Sequence, residues 1–212
     1  MAIEDARREY QYGRLMRDSL RDCPFEQFQL WLDQAVSSDI VDPTAMAVTT
    51  VDADARPWTR AVLLKGFDKR GFVFFTNLGS RKAADIAHNR HVSLHFPWFR
   101  IDRQVSVSGT AERVARAEVE KYFASRPRDS QIAAWASRQS APLESRQALE
   151  AEFAAIEQRF AGGEVPTPEF WGGYRVTPAE FQFWQGGESR LHDRYQYLPA
   201  TAGAWRIQQL AP

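Results

Sequence analysis

The chain of 212 residues balances 27 lysines and arginines against 27 aspartates and glutamates, and 44% of it is hydrophobic. That length suits one sizeable core, and a net charge of zero argues against a polyanion or an acidic membrane as partner. The single cysteine, Cys23, excludes an intramolecular disulfide and a multi-cysteine metal cage. Together with an N-terminus lacking a secretory apolar run and the absence of a stretch of roughly 20 apolar residues, it predicts a soluble, unprocessed, cytoplasmic protein.

Residues 1–22 are arginine-rich and without clear periodicity, and are expected to form a mobile arm ahead of a single domain at 23–212. Pro24 suits a first helical position, and Phe25, Phe28, Leu32 and Val36 recur at helical spacing until Asp42-Pro43. From Ala45 the pattern turns to short β-rich runs, AMAVTTVD, WTRAVLLKGF and FVFFTN, joined by turns tight enough to imply antiparallel neighbours. Ser80 is placed to N-cap a helix from Arg81 to about Asn89, before two further strands, HVSLHFPW and RQVSVSGTAERV. Two helical segments follow, one through Val119, Tyr122 and Phe123 and one carrying Leu149, Phe153, Ile156 and Phe160, with a polar loop at 137–140 between them. The chain closes with YRVTPAEFQFWQ, the turn-rich GGESRLHDR and a hairpin of RYQYL with AWRIQQL. Antiparallel strands with inserted helices predict a mainly β, α+β fold, an antiparallel β-barrel with peripheral helices, since closure removes exposed sheet edges.

Several groupings point to anions. Residues 76–82, TNLGSRK, set two cations and Ser80 at a strand-to-helix junction, where free N–H groups and the helix dipole favour a phosphate; an ordinary capped helix would read the same way. Tyr122, Arg126, Arg128 and Ser130 gather around Pro127 as a second anion candidate, with a charged interhelix loop as the alternative. Arg60 and Lys65 differ in strand parity, so either a bulge intervenes or they serve different ligand groups. His88, His91 and His95 mimic a metal-ligand spacing but straddle a helix end and a strand start, so no metal is expected. In FQFWQGGESRLHDR, a strand resuming after the Gly-Gly turn would put Arg190, His192 and Arg194 on one face, in need of an anion, unless Glu188 and Asp193 balance them.

At these residues the sequence resembles the pyridoxine/pyridoxamine 5′-phosphate oxidase family. The likeness runs from RREY at 7–10 to the C-terminus, through DPTAM (42–46), RAVLLK (60–65), TNLGSRK (76–82), RQV (103–105), YFASRPRDSQI (122–132), RQS (138–140) and FWQGGESRLHDR (183–194). It implies an FMN-binding split β-barrel acting as a homodimer, with FMN at the subunit interface. The FMN contacts it implies are Arg60, Ala61, Val62, Leu63, Leu64, Lys65, Phe75, Thr76, Arg81, Lys82, Gln104, Gln139, Ser140, Trp184 and Arg194. It places the substrate phosphate against Lys65, Tyr122, Arg126 and Ser130, sets Arg190, Leu191 and His192 at the pyridine ring, and closes the pocket with Arg7, Arg8, Glu9 and Tyr10. The implied reaction is oxidation of pyridoxamine or pyridoxine 5′-phosphate to pyridoxal 5′-phosphate, by hydride transfer from C4′ to flavin N5, with dioxygen as acceptor and hydrogen peroxide as product. Arg190 is the expected catalytic clamp and His192 its assistant in positioning or proton movement. Alternatives are a flavin oxidase of another pathway, such as phenazine synthesis, and a non-catalytic binder of flavin or pyridoxal phosphate. Three departures from the family pattern are Phe75, where tyrosine is common, Ser189, often histidine, and Pro142 in the loop after Ser140.

Overall fold

A computed structural model describes residue 3 and residues 8–212, apart from the side chain of Ala202; Arg7 lies outside the described residues. The elements in chain order are α1 (Pro24–Val36), β1 (Ala45–Val51), β2 (Pro57–Leu63), β3 (Gly66–Asp68), β4 (Gly71–Asn77), α2 (Arg81–His88), β5 (His91–Trp98), β6 (Arg103–Arg113), α3 (Arg116–Ala124), α4 (Arg128–Ala136), α5 (Arg146–Arg159), β7 (Trp171–Gln185), β8 (Asp193–Pro199) and β9 (Trp205–Leu210). All strand pairs are antiparallel, in the order β2-β1-β5-β6-β7-β4-β3, with β8 and β9 joined through β7.

The long strand β7 organises the sheet. One edge pairs with β6 along nearly its whole length; the other pairs with β4 over 171–176 and with β8 over 181–185. The sheet therefore forks along β7. Its inner face carries Phe72, Phe74, Phe96, Val105, Val107, Phe181 and Phe183, each at most 4% exposed. Helix α1 plugs this core, with Phe28 edge-on to Phe67, Phe72 and Phe96 and Trp31 edge-on to Phe183. Burying such rings on both sides of one interface supplies most of the hydrophobic stabilisation available to a chain of this size. A smaller cluster, Phe123, Ile132, Ala134, Ala136, Ile156 and Val165, sits under α3, α4 and α5.

Four expectations need correction. Val36, at the last turn of α1, is 58% exposed, while Trp31 and Ala35 take the buried positions. The run WTRAVLLKGF is not one strand. Leu64 N–H still donates to Thr44 O at 2.9 Å, continuing the β1 register, and the chain then changes partner, with Lys65 N–H donating to Val73 O at 2.8 Å. Helix α4 went unread because RDSQIAAWA has a weak apolar stripe; Pro127 before it and packing onto α5 define it instead. Finally, residues 188–190 form a tight turn with Ser189 and Arg190 in left-handed backbone, and β8 begins only at Asp193, so Arg190 and His192 do not share a strand face with Arg194.

The described part of the N-terminal arm lies against the barrel. Leu15 and Leu20 are buried in the main core, Leu15 N–H donates to Asp193 Oδ2 at 2.9 Å, and Tyr197 Oη donates to Arg21 O at 2.8 Å. Among the described residues no helix is long and apolar enough to cross a membrane.

Candidate active site

The expected site residues fall into two groups at opposite ends of β7. The first lines a cavity of about 560 Å³ between β2, β4, α2, the α3–α4 turn and the loop after α4. Its wall holds Arg60, Ala61, Val62, Leu63, Lys65, Phe75, Thr76, Arg81, Lys82, Tyr122, Arg126, Gln139, Ser140 and Trp171. Five of these are cations and none is a carboxylate, a composition that leaves charge to be met by an anion. The partner change after Leu64 resolves the parity problem: it turns Lys65 into the same cavity as Arg60, while Leu64 sends its side chain into the core.

Lys82 is held in place by neutral oxygens, whereas Arg60 and Arg81 each have a carboxylate behind them, Asp85 and Asp52. Lys82, only 7% exposed, donates from Nζ to Thr76 Oγ1 at 3.0 Å, Gln139 Oε1 at 2.9 Å and Ser80 Oγ at 3.3 Å. Ser80 thus occupies the N-cap position but makes no side-chain capping bond, its hydroxyl serving the lysine instead. Burial first and the neighbouring Arg60 second push Lys82 down from 10.5 to about 8, against the opposing pull of Asp85. Arg60 donates to Thr50 Oγ1 at 2.7 Å and Val48 O at 3.2 Å; Thr50 in turn donates to the buried Asp85 at 2.6 Å. Arg81 lies flat on Trp58, its guanidinium carbon 3.4 Å from the ring centroid, and reaches Asp52 at 3.2 Å.

Arg126 packs against the edge-on pair Trp171 and Phe123, its guanidinium carbon 4.3 Å and 5.5 Å from their centroids, and its Nη1 is buried without a hydrogen-bond partner. Tyr122 stacks on Phe75 at 3.9 Å; burial raises its hydroxyl above the usual phenol range, which keeps it a donor. Ser130 sits in the first turn of α4, just beyond this wall. Trp171 is a wall residue that the sequence reading missed; only its place opposite Asn77 on β4 brings it there.

The second group gathers where β7 meets β6 and β8. Gln104, Trp184 and Arg194 are direct cross-strand neighbours, forming one row across three strands. Arg194 donates to Gln182 Oε1 and Ala211 O, both at 3.1 Å. Beside that row, Tyr10 meets Trp184 edge-on at 5.6 Å and His192 at 5.1 Å, and Trp184 and His192 are 4.7 Å apart. Gly186 is required beneath Tyr10, since a Cβ there would lie 2.5 Å from the ring. Gly187 N–H donates to His192 Nδ1 at 3.1 Å, which leaves the proton on Nε2. Burial, then the charge of Arg190, lower His192 below the ordinary imidazole value, so it is neutral at pH 7. Arg190 has φ 63°, in the left-handed region, and its guanidinium carbon lies 5.8 Å from the Tyr10 centroid. Arg8 is 5.0 Å from the same ring; Glu9 and Leu191 are exposed, Leu191 by 72%.

The two groups do not meet within one chain. Phe75 pairs with Gly173, whereas Gln104 and Arg194 flank Trp184. About 11 residues of β7, roughly 36 Å of extended strand at about 3.3 Å per residue, lie between.

Residues 32–160 match the pyridoxamine 5′-phosphate oxidase family and residues 171–212 the pyridoxine 5′-phosphate oxidase C-terminal dimerisation region. The chain belongs to the pyridoxine/pyridoxamine 5′-phosphate oxidase family. It is 56% identical to the pyridoxine/pyridoxamine 5′-phosphate oxidase of Shewanella amazonensis over 99% of both chains. It is 53% identical to that of Vibrio vulnificus over the whole of both. Among solved structures, PhzG from Burkholderia lata, in complex with tetrahydrophenazine-1-carboxylic acid, superposes with a TM-score of 0.87 at 30% identity, covering 93% of this chain and 98% of the other. A pyridoxamine 5′-phosphate oxidase-related, FMN binding protein from Nostoc punctiforme shares the fold, with a TM-score of 0.72 at 12% identity over 91% of this chain and 100% of the other. The forked sheet is the split barrel of this family.

Proposed function

We propose that the chain oxidises pyridoxamine 5′-phosphate and pyridoxine 5′-phosphate to pyridoxal 5′-phosphate, using FMN and dioxygen, as a homodimer in which each site combines the cavity of one protomer with the Trp184–Arg194 end of its partner. The observation that carries this reading is the cavity with five cations and no acid, containing a buried guanidinium nitrogen without a partner. Two phosphates, one on the cofactor and one on the substrate, would satisfy it. Relatives of 53–56% identity over their full length carry the oxidase name, which favours this substrate over the phenazine of the 30% identical structure.

In this reading Arg60, Arg81 and Lys82 hold the FMN phosphate, Ala61, Val62, Leu63, Leu64 and Phe75 supply backbone and apolar contact, and Thr76, Gln139 and Ser140 complete that wall. Gln104, Trp184 and Arg194 of the other protomer close over it. When bound, FMN supplies the hydride acceptor at N5 and the onward route of electrons to dioxygen, with hydrogen peroxide as product. Lys65, Tyr122, Arg126 and Ser130 anchor the substrate phosphate. Arg190 clamps the ring and polarises the C4′ substituent, and the Nε2–H of His192 is the donor beside it. Tyr10 and Trp184 exclude water, and holding the donor carbon in one orientation converts an encounter into an internal step.

The test is direct: purified protein should be yellow with a flavin spectrum, and pyridoxamine 5′-phosphate under air should give aldehyde and peroxide in equal amounts. Binding without peroxide would make it a cofactor-binding protein instead. Turnover of tetrahydrophenazine-1-carboxylic acid alone would move it to the other pathway.

A further inference from the structure

We propose that Asp102 is a positioning residue for the substrate: it latches residues 8–14 shut over the Trp184–His192 end of the site. This rests on the functional reading above. Asp102 is 3% exposed, follows the one-turn 3-10 helix Phe99–Ile101, and adopts φ 54°, ψ 35°. Its carboxylate faces the arm: Gln11 N–H donates to Oδ2 at 3.0 Å and Arg8 Nη2 pairs with Oδ1 at 2.5 Å. Its backbone faces the sheet, since Asp102 O accepts from Gly186 N at 2.7 Å and Gln185 Nε2 at 3.2 Å. One residue therefore ties the arm to the end of β7.

The rest of the arm shows why this tie decides closure. From Leu15 onward the segment is fixed by buried Leu15 and Leu20 and by the bond from Leu15 N–H to Asp193. Ahead of it, the polar contacts of residues 8–14 among the described residues are the two to Asp102 and one from Arg8 to Phe99 O at 2.8 Å. Arg8 and Gln11 flank Tyr10, the ring that seals Gly186, Trp184 and His192. Arg8, itself about half exposed, meets the buried Asp102 carboxylate by charge, since Asp102 Oδ1 has no hydrogen-bond partner, and releasing the pair lets both groups return to water. The arm is thus hinged at Leu15 and closed at Asp102, so substrate entry and release pass through that one carboxylate.

Asp102→Asn tests this with little backbone disturbance, because asparagine tolerates the left-handed conformation while its amide group turns a donor toward Gln11 N–H or Arg8. We expect KM for pyridoxamine 5′-phosphate to rise about tenfold with kcat within about twofold, the split expected when binding alone is lost. Trypsin should cut after Arg8 and Arg14 about tenfold faster in the substrate-free holoenzyme, following the population of open arm. FMN affinity should not change. Asp102→Gly, which also accepts φ 54°, should behave alike. Wild-type KM and wild-type cleavage in both variants would overturn the proposal, as would loss of FMN binding or of cooperative melting in both, which would assign Asp102 to the fold. If the wild-type holoenzyme failed to oxidise pyridoxamine 5′-phosphate, the functional reading would fall, and the cleavage rates alone would judge the latch.

Discussion

The two ends of β7 are built on opposite plans. At the cavity end, charged side chains project from β2 and α2, and each is fixed by partners of the chain itself: Lys82 by three oxygens, Arg60 by Thr50 and Val48 O, Arg81 by Trp58 and Asp52. At the other end, Arg190 and Ser189 sit in a turn at φ 63° and 54°, and the aromatic cluster is completed by an arm held through few contacts. Left-handed backbone at non-glycine residues costs roughly 1–2 kcal/mol each and persists where surroundings impose it. The contrast teaches a division of labour: a rigid, preformed site suits a cofactor that stays, and a strained turn under a movable arm suits a substrate that must come and go.

The largest expected effect tests whether the two ends work across protomers. Arg126→Ala and Arg190→Leu should each lower kcat/KM by about 100-fold or more, the scale expected when a charged anchor or a reacting geometry is lost. Mixed, unfolded and refolded together, the two variants should recover about a quarter of wild-type activity, because half the dimers are hybrids and each hybrid has one intact site. No recovery above the separate variants would break the composite-site reading.

A second effect concerns the cavity end alone. Lys82, depressed to about 8 from 10.5, binds fewer protons in the folded apoprotein than in the unfolded chain between those values. The destabilisation is therefore complete below pH 8 and relieved as pH rises toward 10.5. An anion that needs the charged lysine should bind more weakly as pH climbs past about 8, by up to about tenfold per pH unit, with proton uptake visible by calorimetry in two buffers. Lys82→Met should abolish that pH dependence, weaken FMN by about 100-fold, and raise the melting temperature of the apoprotein at pH 7 by a few degrees.

Asp85→Asn should act in the same direction more mildly. Asp85 is the carboxylate that raises Lys82, so its loss should shift the onset of the FMN pH dependence to lower pH, readable by fluorescence titration of FMN. The smallest effect is expected for Phe75→Tyr: the stack on Tyr122 at 3.9 Å is retained, and FMN affinity should change by less than about threefold.

Much of this molecule is legible in its sequence, for identifiable reasons. Period-2 runs such as AMAVTTV and HVSLHFPW bury alternate residues, and the observed strands β1 and β5 alternate accordingly. Pro24 begins α1 and the cation-rich 76–82 junction opens α2. What resisted reading lacks a local signal. Helix α4 has almost no apolar periodicity, and Trp171 enters the cavity wall through a strand pairing nearly a hundred positions from its partner Asn77. Asp102 looks like any loop aspartate until the arm is laid against it.

The sequence by itself determined the residue chemistry: which side chains carry charge, which runs must be strands, and which motifs match the oxidase family. The tertiary structure decided how those residues divide. It turned Lys65 into the cavity with Arg60 by changing strand partner, removed Arg190 and His192 from the strand that carries Arg194, and placed the two groups at opposite ends of β7. The physical reason is that side-chain type is a local property, whereas proximity across a sheet is set by register and by where a strand exchanges one neighbour for another.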